Sequence, residues 1–376
     1  MNHQTQTPTD AALERLIDQV RTAQAEDCGL LIRGGGTKDF YGGALTGQPL
    51  ELGALRGICS YEPTEMVITA RAATPLRELE EALAERGQHL AFEPPRFGTA
   101  NGAQGTVGGM VAAGLAGPAR VAAGGVRDFV LGVCVLNGRG ELLRFGGQVV
   151  KNVAGYDASR LFVGSMGVLG VICEVSLKVP PIAAACTSVE LACGQAEALQ
   201  IIHAWTRTAL PINASAWHAD TLRVRLCGAV AAVNSGAARL VKDFGVQVLE
   251  NEAARRYWNA LRDQEDAFFA PRAQAAPCPT LWRVSVPSVH PPLNLPGETL
   301  IEWGGAQRWL WSNASPEKVR EAAAHAGGHA SLFRAEARRA DFFAPLPAPL
   351  ERIHRALKKS FDPAGIFNRG RMYSWM

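Results

Sequence analysis

The chain opens with an apolar stripe at helical spacing. Leu13, Leu16 and Val20 recur within residues 11 to 26, which predicts an amphipathic helix. Asp10 stands immediately before that pattern and is a suitable N-cap. A short apolar run at residues 29 to 32 predicts a strand that leads directly into a glycine-rich loop.

A period of two replaces the helical period later in the first half. In residues 171 to 179 every odd position is apolar, whereas positions 174, 176 and 178 are polar, and this period of two predicts a strand. Asn137 and Gly138 separate two apolar runs, at 130–136 and 141–145, and Asn-Gly in that position indicates a hairpin. Pro180 and Pro181 end the last strand and mark a domain boundary.

The second half has a different order of elements. Residues 187 to 250 alternate as strand, helix, strand, strand, helix, strand, which favours a ferredoxin-like unit. Further strands and helices follow, so the fold class predicted is α+β, with one antiparallel sheet carrying helices on a face. We expect a first domain at 1–180, a cap domain at 181–345 and a C-terminal segment at 346–376.

Composition and charge narrow the function classes. The 376 residues are 47% hydrophobic and 19% charged, with a formal net charge of +3, so nothing indicates the clustered basic face of a nucleic-acid-binding protein. The N-terminus lacks the pattern of a signal peptide, and no apolar run reaches the ~18 residues that span a bilayer. We expect a cytoplasmic protein that reaches the inner face of the cell membrane only through partners.

The eight cysteines contain no C-x-x-C pair, which argues against zinc or a cysteine-ligated iron–sulfur cluster. Most have apolar neighbours, a pattern typical of buried free thiols in a reducing compartment. The one H-x-x-x-H spacing, His325 to His329, encloses two glycines that break the helix needed to align the rings. A helix end leading into a strand explains it better, so no metal site is predicted.

The first glycine-rich loop contains Gly34, Gly35 and Gly36, flanked by Arg33 and by Thr37-Lys38. Three bare glycines after a strand leave N–H groups that can converge on an anion such as a pyrophosphate. An ordinary surface turn is the alternative. The pattern is neither a dinucleotide-binding G-x-G-x-x-G nor a Walker A motif.

A second glycine-rich loop spans residues 97 to 109, with Thr99, Asn101 and Thr106 between its glycines. These hydroxyls and the amide suit phosphate and ribityl contacts. The small side chains of residues 110 to 116 follow, as they would beneath a flat ligand. A glycine-rich packing surface is the alternative for this loop taken alone.

Together these segments resemble the FAD-binding domain of the vanillyl-alcohol oxidase/para-cresol methylhydroxylase superfamily. The resemblance continues through Gly125–Gly132, Lys151–Asp157 and Leu161–Ile172, and the segment Phe361–Asn368 resembles the one that returns to the flavin in that family. It implies a two-part FAD-binding domain of the vanillyl-alcohol oxidase type. It nominates the following FAD-binding residues: Arg33, Gly34, Gly35, Gly36, Thr37, Lys38, Thr99, Asn101, Gly102, Gly105, Thr106, Val107, Gly108, Gly109, Gly114, Asp128 and Ile172.

Members that tether flavin covalently from the first loop place a histidine after the glycines. Thr37 occupies that position, so the resemblance implies non-covalent FAD. Within the superfamily, residues 95–102 and 124–132 most resemble the E-type FAD-binding subunits of bacterial glycolate oxidase. That resemblance implies a related D-type flavoprotein partner, an iron–sulfur F-type partner, and glycolate oxidised to glyoxylate with electrons passed to the respiratory chain.

The sequence departs from the catalytic members of the superfamily in one respect. It lacks their late H-x-G-D-G-N-type segment, which carries metal-binding histidines, and so it nominates no catalytic residue. The leading hypothesis is a flavin-holding subunit whose substrate chemistry lies mainly in a partner. A self-sufficient α-hydroxy-acid dehydrogenase, with His218 or His290 as base, is the second. A non-catalytic scaffold of the same complex is the third.

Overall fold

The structure is a computed structural model that describes residues 10–99, 101–147, 157–272, 278–335 and 342–376. Residues 151–156, which belong to one of the motifs that carry the family resemblance, lie outside those ranges. The elements of the first half are α1 (Ala11–Ala25), β1 (Leu30–Arg33), β2 (Gln48–Glu51), β3 (Ile58–Glu62), β4 (Val67–Arg71), α2 (Leu76–Ala84), α3 (Val107–Ala113), α4 (Arg120–Ala123), α5 (Val126–Phe129), β5 (Val130–Leu136), β6 (Leu142–Gly146) and β7 (Val171–Lys178).

The first half forms two sheets within the described residues. Strands β1 and β2 pair in parallel, and five strands form an antiparallel sheet in the order β3-β4-β7-β5-β6. The helix predicted at residues 11–26 is α1, and the Asp10 carboxylate accepts a hydrogen bond from the Ala12 N–H at 3.1 Å. The predicted hairpin is β5–β6, where the Asn137 side-chain oxygen accepts from two backbone N–H groups of the turn.

Strands β2, β3 and β4 were not predicted from the sequence. Each is only four or five residues long, and β2 buries a single residue, Leu50. An alternating pattern cannot be recognised over so few positions. The tertiary structure supplies what the sequence lacks, since β4 pairs along its whole length with the longer strand β7.

The second half contributes β8 (Ala185–Ala192), α6 (Gln195–Thr206), β9 (Ile212–His218), β10 (Thr221–Gly228), α7 (Val230–Phe244), β11 (Gln247–Val248), α8 (Asn251–Asp263), β12 (Thr280–Ser285), β13 (Glu298–Glu302), β14 (Gln307–Ser312), α9 (Pro316–His325), β15 (His329–Arg334) and α10 (Ala348–Phe361). Eight strands form one antiparallel sheet in the order β11-β8-β10-β9-β13-β14-β12-β15, which we call the cap sheet. The α+β class and the antiparallel cap sheet are confirmed.

The cap sheet has a symmetric topology. Numbered from 1 to 4 along the chain, strands β8 to β11 lie side by side in the order 4-1-3-2 of a ferredoxin-like unit, as predicted. Strands β12 to β15, numbered in the same way, lie in the reverse order, 2-3-1-4. The two units meet where Trp217 of β9 pairs with Ile301 of β13. Val189 packs with α6 and α7, whereas its neighbour Ser188 accepts a hydrogen bond from Trp258 of α8 on the opposite face.

One expectation about the cysteines is wrong. Cys186 of β8 and Cys227 of β10 form a disulfide, although we expected free thiols throughout. The two residues lie directly opposite each other in the β8–β10 ladder, with Cα atoms 4.2 Å apart. Strand pairing brings them together over 41 residues of chain, so their spacing gave no indication of it. The other six cysteines are free.

The C-terminal segment returns to the first half of the chain. The Leu30 N–H donates to the Ile366 carbonyl at 2.7 Å, and the Asn368 N–H donates to the Leu30 carbonyl at 2.9 Å, so residues 366–368 run beside β1. Ile366 and Phe367 are fully buried against α1 and β7. No helix among the described residues is long and apolar enough to cross a membrane.

Candidate functional site

A cleft opens where β1 ends and the first glycine-rich loop begins. About 820 Å³ of space free of protein atoms lies in and in front of it, part of it open to solvent. Its walls come mainly from the end of β1 with the first loop, from α3, from residues 166–172 and from the C-terminal segment, and single residues such as Leu52 and Ala72 complete them. The two glycine-rich walls can be recognised in the sequence. The C-terminal segment becomes a wall of the cleft only when the chain folds.

The first loop presents an unusual row of donors. Among the described residues, the five successive backbone N–H groups from Gly34 to Lys38 have no hydrogen-bond acceptor. Only Thr37 is buried and Gly34 is exposed, so these N–H groups stand at the open cleft, where water or a ligand can accept from them. Converging N–H groups of this kind favour an anion.

The glycines of this loop are required by the close approach of the second loop. A Cβ atom on Gly35 would lie 1.8 Å from the Gln104 carbonyl oxygen, and one on Gly34 would lie 2.7 Å from the Thr106 hydroxyl. Gly36 has a positive φ of 66°. The two glycine-rich loops therefore pack backbone to backbone, which leaves their polar groups along one side of the cleft.

Positive charge in the cleft comes from Lys38. Its side chain is half-buried, its Nζ lies 5.8 Å from the centre of the Phe97 ring, and no carboxylate of the described residues pairs with it. Burial lowers the pKa of Lys38 to about 8. By contrast, the Arg33 guanidinium forms an ion pair with the Asp39 carboxylate at 2.7 Å, and this pair links the two ends of the loop. The unpaired ammonium and the row of N–H groups fit a pyrophosphate.

The structure brings together part of the predicted site. The cleft is lined by Arg33, Gly34, Gly35, Gly36, Thr37, Lys38, Thr106, Gly108, Gly109 and Ile172. The predicted residues Thr99, Asn101, Gly102, Gly105, Val107, Gly114 and Asp128 do not line it.

Three of the predicted residues that do not line the cleft have visible local roles. The Thr99 hydroxyl closes a turn by accepting from the Ala103 N–H, and the Asp128 carboxylate caps α5 by accepting from the Gly125 N–H at 2.8 Å. Gly114 ends α3 with a positive φ of 62°. Their contact with a cofactor stays a prediction.

The cleft also contains residues that were not nominated from the sequence, and two of them, Asn368 and Arg371, are polar and come from the C-terminal segment. Asn368 lines the cleft and donates from Nδ2 to the Met166 carbonyl at 2.7 Å. Arg371 is buried and donates to the carbonyls of Gly43 and Lys38, at 2.7 and 2.9 Å, so it holds the end of the first loop and the segment that follows it. Asn368 ends the motif at 361–368, which was the available indication; nothing in the sequence distinguished Arg371.

Aromatic side chains fill the space between the cleft and the cap sheet. This aromatic cluster comprises Phe40 and Tyr41 after the first loop, Phe97 of the second loop, Trp309, Phe333, Phe342 and Phe343. The Trp309 and Phe333 rings have centroids 4.7 Å apart, and the Tyr41 and Phe333 rings 5.0 Å. The same core includes Ala113 and Met166, which line the cleft. The cap therefore closes against the cleft with an apolar surface.

The histidines considered as bases lie elsewhere. The His218 ring bonds to Glu298 at 2.7 Å and packs against Phe268, and His290 is on the surface of a loop with its Nδ1 near the Pro291 carbonyl. Neither lines the cleft. No group of three or more potential metal ligands occurs among the described residues.

One buried acid was overlooked in the sequence. Glu302, at the end of β13, is almost fully buried and accepts a hydrogen bond from Trp309 Nε1 at 2.7 Å. Burial raises the pKa of Glu302 to about 7, although this N–H and nearby Arg283 oppose the rise. It lies beneath the aromatic cluster and outside the lining of the cleft. Its position in an apolar strand gave no sign of this.

Comparisons with known proteins agree with this geometry. The model of the FAD binding domain family matches residues 11–146, which include both glycine-rich loops. Glycolate oxidase subunit GlcE of Escherichia coli is 45% identical over 361 residues, covering 96% of this chain and 97% of that protein. This chain belongs to the GlcE family. It is therefore an FAD-binding protein and a member of an FAD-dependent oxidoreductase family.

Two further comparisons show lower sequence identity. A D-2-hydroxyglutarate dehydrogenase of Xanthomonas citri is 30% identical over 45% of this chain and 36% of its own length. Among solved structures, 4-ethylphenol oxidase of Gulosibacter chungangensis aligns with 96% of this chain and 88% of its own at a TM-score of 0.69 and 16% identity. That likeness confirms the vanillyl-alcohol oxidase type of fold.

Proposed function

We propose that this chain is the FAD-holding subunit of a complex that oxidises glycolate to glyoxylate. The observation that carries the proposal is its 45% identity to glycolate oxidase subunit GlcE over nearly the full length of both chains. The match to GlcE covers 96% of this chain and so includes the cap, whereas the dehydrogenase relative matches 45% of it. The partners in this proposal are a related D-type flavoprotein and an iron–sulfur F-type subunit.

The residues of the first loop hold the FAD pyrophosphate in this proposal. The N–H groups of residues 34–38 donate to its oxygens, and Lys38 supplies the compensating charge. The 17 residues nominated from the sequence remain our proposed cofactor set, now joined by Asn368 and Arg371. Thr37, where covalent relatives have histidine, supports non-covalent attachment. When bound, the flavin supplies reversible two-electron chemistry.

We also assign the three parts of the chain on this basis. Residues 1–180 form the FAD-binding domain, residues 181–345 form the cap, and residues 346–376 form a segment that returns to the first domain. The hydrogen bonds between β1 and residues 366–368 support the last assignment. In this proposal the chain is cytoplasmic and meets the inner face of the cell membrane through its partners.

Substrate oxidation lies mainly in the D-type partner in this proposal. Oxidising an α-hydroxy acid requires a base near the substrate hydroxyl and a cationic clamp for its carboxylate. The face of the cap beside the cleft is mainly aromatic, and its Arg334 guanidinium lies over the Phe40 ring and donates to Gln264 and the Phe269 carbonyl. The His218 and His290 rings are bonded elsewhere. Electrons from glycolate then leave through the iron–sulfur F-type subunit toward the respiratory chain.

An anaerobic titration of the purified chain with glycolate tests the proposal, with the absorbance band of oxidised flavin as the readout. The expected result is a flavin band that glycolate leaves unchanged and that bleaches once the partner subunits are added. Bleaching by the chain alone would instead establish a self-sufficient α-hydroxy-acid dehydrogenase. A chain that assembles with its partners yet never binds flavin would establish the scaffold alternative.

A further inference from the structure

Two carboxylates are buried within the described residues, and their surroundings differ. Asp362 pairs with Lys358 Nζ at 2.8 Å and also accepts from two backbone N–H groups. Glu302 forms no ion pair with a described residue and accepts a single hydrogen bond, on Oε2, from Trp309 Nε1 at 2.7 Å. An acid buried with so few partners is costly in its charged form, and acids perturbed in this way are concentrated at functional sites.

The side chain beside Glu302 carries a donor that has no acceptor. Gln307 of β14 is the direct cross-strand neighbour of Glu302 in β13, so both side chains lie on one face of the cap sheet. Gln307 is fully buried, and its Oε1 accepts from Arg283 Nε at 2.9 Å. Among the described residues, its Nε2 has no partner. A buried N–H₂ group left unpaired beside an acid suits a carboxylate that is ionised for part of the time.

A small cavity beside Glu302 gives this acid a path to water. About 320 Å³ of space free of protein atoms lies in and in front of it, part of it open to solvent. Glu302, Arg283 and Trp309 line it, and the half-buried side chains of Gln264 and Trp303 also border it. A water molecule takes up about 30 Å³ in the liquid, so water fits beside the carboxylate. A proton can therefore reach or leave Glu302 while the cap stays closed.

Electrostatic contacts join Glu302 to the flavin cleft. Burial raises the pKa of Glu302 to about 7, and the Trp309 N–H and the charge of Arg283 oppose the rise. Burial also raises the pKa of the Tyr41 hydroxyl, and the guanidinium groups of Arg283 and Arg371 oppose that rise. Arg371 lines the cleft. A charge placed in the cleft therefore reaches Glu302 through a short succession of neighbouring polar groups.

Aromatic rings fill the space along this route. The Trp309 ring, which donates to Glu302, packs against Phe333 with centroids 4.7 Å apart, and Phe333 packs against Tyr41 at 5.0 Å. These rings belong to the same hydrophobic core as two residues of the cleft lining. Because the rings exclude water, charges on either side of them interact more strongly than they would through solvent.

Other charged and titratable groups of the described residues also surround Glu302. They are Glu93, Tyr257, Arg262, Asp266 and, in the same row across the cap sheet, His329. Glu93 and Arg262 are held in ion pairs of 2.7 and 2.5 Å, and Asp266 accepts from a backbone N–H at 2.9 Å. Burial raises the pKa of Tyr257 and lowers that of His329, so both stay uncharged where Glu302 titrates. Arg283, which has no ion pair with a described residue, is the cation left to balance Glu302.

We propose that Glu302 binds a proton when electrons enter the flavin cleft, and thereby compensates the negative charge of the reduced cofactor. Added negative charge favours the protonated form of a nearby acid. Two electrons come from the reductant, and one proton from solvent forms an O–H bond on the Glu302 carboxylate. Reoxidation passes the electrons to the acceptor and returns the proton to solvent.

Glu302 does not line the cleft, so it is a positioning residue that acts through Arg283 and Tyr41. The inference rests on the proposed function, because it requires FAD in this cleft. It adds a proton, taken up inside the cap, to each passage of electrons through the chain.

The test measures the protons that the flavin-loaded, full-length chain takes up when its flavin is reduced. Mediated electrochemical reduction is carried out without oxygen, in weakly buffered solution with a pH-indicator dye, from about pH 5.5 to about pH 8.5. Glu302→Gln keeps the size and polarity of the side chain but cannot titrate. Glu80→Gln is the matched control, because burial raises the pKa of Glu80 too, yet this acid pairs with Arg96 at 2.8 Å and lies outside the cleft lining.

At about pH 7.5 we expect the wild type to take up roughly 0.3 to 1 more proton per flavin than Glu302→Gln. The difference should vanish at about pH 5.5, where Glu302 is protonated in both redox states. Glu80→Gln should match the wild type throughout. Lys38 also titrates in this range, but it is common to all these proteins and cancels in the comparison.

Two further measurements keep the proposal testable should Glu302→Gln hold less flavin than the wild type. Trp309→Phe removes the N–H that favours the ionised acid, so the pKa of Glu302 should rise and the added proton uptake should move to higher pH. The infrared difference spectrum of the wild type, reduced minus oxidised at about pH 7.5, should gain the C=O stretch of a protonated carboxylic acid. An acid with a merely structural role would show no such band.

Equal proton uptake by the wild type and a flavin-loaded Glu302→Gln at every pH would overturn this inference alone. So would the absence of the carboxylic acid band from the wild type, or a defect that Glu80→Gln shares. A purified chain that binds no flavin would overturn the proposed cofactor role, and this inference with it. The flavin content of each protein, measured first, therefore distinguishes the two failures.

Discussion

Asn368 accepts a hydrogen bond from the backbone N–H of Ile32 at 2.8 Å, although 336 residues separate the two along the chain. The other end of the same amide donates to the Met166 carbonyl. Asn368 also has a positive φ of 43°, a conformation that asparagine adopts more readily than most residues. One side chain thus joins the strand before the first loop, the segment before β7 and the C-terminal segment at the cleft.

Replacing Asn368 with alanine should therefore weaken the cleft and the fold together. The substitution removes two buried hydrogen bonds, and we expect a loss of roughly 2 to 4 kcal/mol in the free energy of unfolding. Flavin affinity should fall as well, because β1 and the loop that follows it lose their anchor. Urea unfolding and FAD titration measure the two effects. Asn313→Ala, at an exposed position of the cap, is the control and should match the wild type.

Flavin affinity should depend on pH through Lys38. Burial lowers the pKa of its ammonium to about 8, and a bound pyrophosphate would raise that pKa again by favouring the charged form. FAD affinity should therefore be complete below pH 8 and decline as the pH rises above 8. Lys38→Met should bind FAD about 10- to 100-fold more weakly at pH 7 and lose the decline.

Lys38→Arg keeps the charge at all these pH values and provides the comparison for Lys38→Met. It should bind FAD without the decline above pH 8, since an arginine stays protonated there. Fluorescence titration between pH 6.5 and 9.5 follows all three proteins. A wild-type affinity that stays constant across this range would remove Lys38 from the pyrophosphate site.

Gly35 should not tolerate even a methyl group. An alanine Cβ would lie 1.8 Å from the Gln104 carbonyl oxygen, so the two glycine-rich loops would have to separate. We expect Gly35→Ala to cost about 1 to 3 kcal/mol of stability and most of the bound flavin. Thermal unfolding and the ratio of flavin to protein absorbance report on both. Gly53→Ala is the control, because no atom lies within 4 Å of its Cβ position.

The Gly35 result also bears on the scaffold alternative. Because the clash is with the protein itself, a Gly35 variant would disturb assembly even if flavin were irrelevant. Lys38→Glu is the sharper test, since its side chain lines the cleft and contacts no acid of the described residues. Loss of flavin and of activity with assembly intact would exclude the scaffold alternative, whereas retained activity would support it.

Glu302 should make the protein less stable as the pH rises. Its pKa is about 7 in the folded chain and 4.5 when exposed, so between these values folding retains a proton that the unfolded chain releases. The stability this proton confers is complete below pH 4.5 and is lost by pH 7. Glu302→Gln should therefore be more stable than the wild type by roughly 1 to 3 kcal/mol at pH 8 and equal to it near pH 4.5.

Urea unfolding at several pH values measures this difference. Every other titrating group is common to both proteins, so subtraction isolates Glu302. Glu321→Gln, on the exposed face of α9, should show no such dependence. A constant difference between Glu302→Gln and the wild type across the pH range would contradict the assigned pKa.

The sequence determined the features whose causes are local. Helix α1 with its cap and the β5–β6 hairpin follow from spacing and from local signals such as Asp10 and Asn137-Gly138. The two glycine-rich loops could also be recognised from the sequence, because a run of glycines has few explanations other than close approach of another backbone or binding of an anion. The α+β class and the ferredoxin-like order in the cap followed from the succession of these elements.

Only the tertiary structure decided the features that join distant parts of the chain. The short strands β2 to β4, the Cys186–Cys227 disulfide, the burial of Glu302 and the arrival of Asn368 and Arg371 at the cleft all depend on which segments become neighbours. Periodicity reports the environment along one element, whereas pairing across elements is set by packing the whole core. For that reason the sequence indicated what kind of ligand the chain holds, and the fold decided which residues surround it.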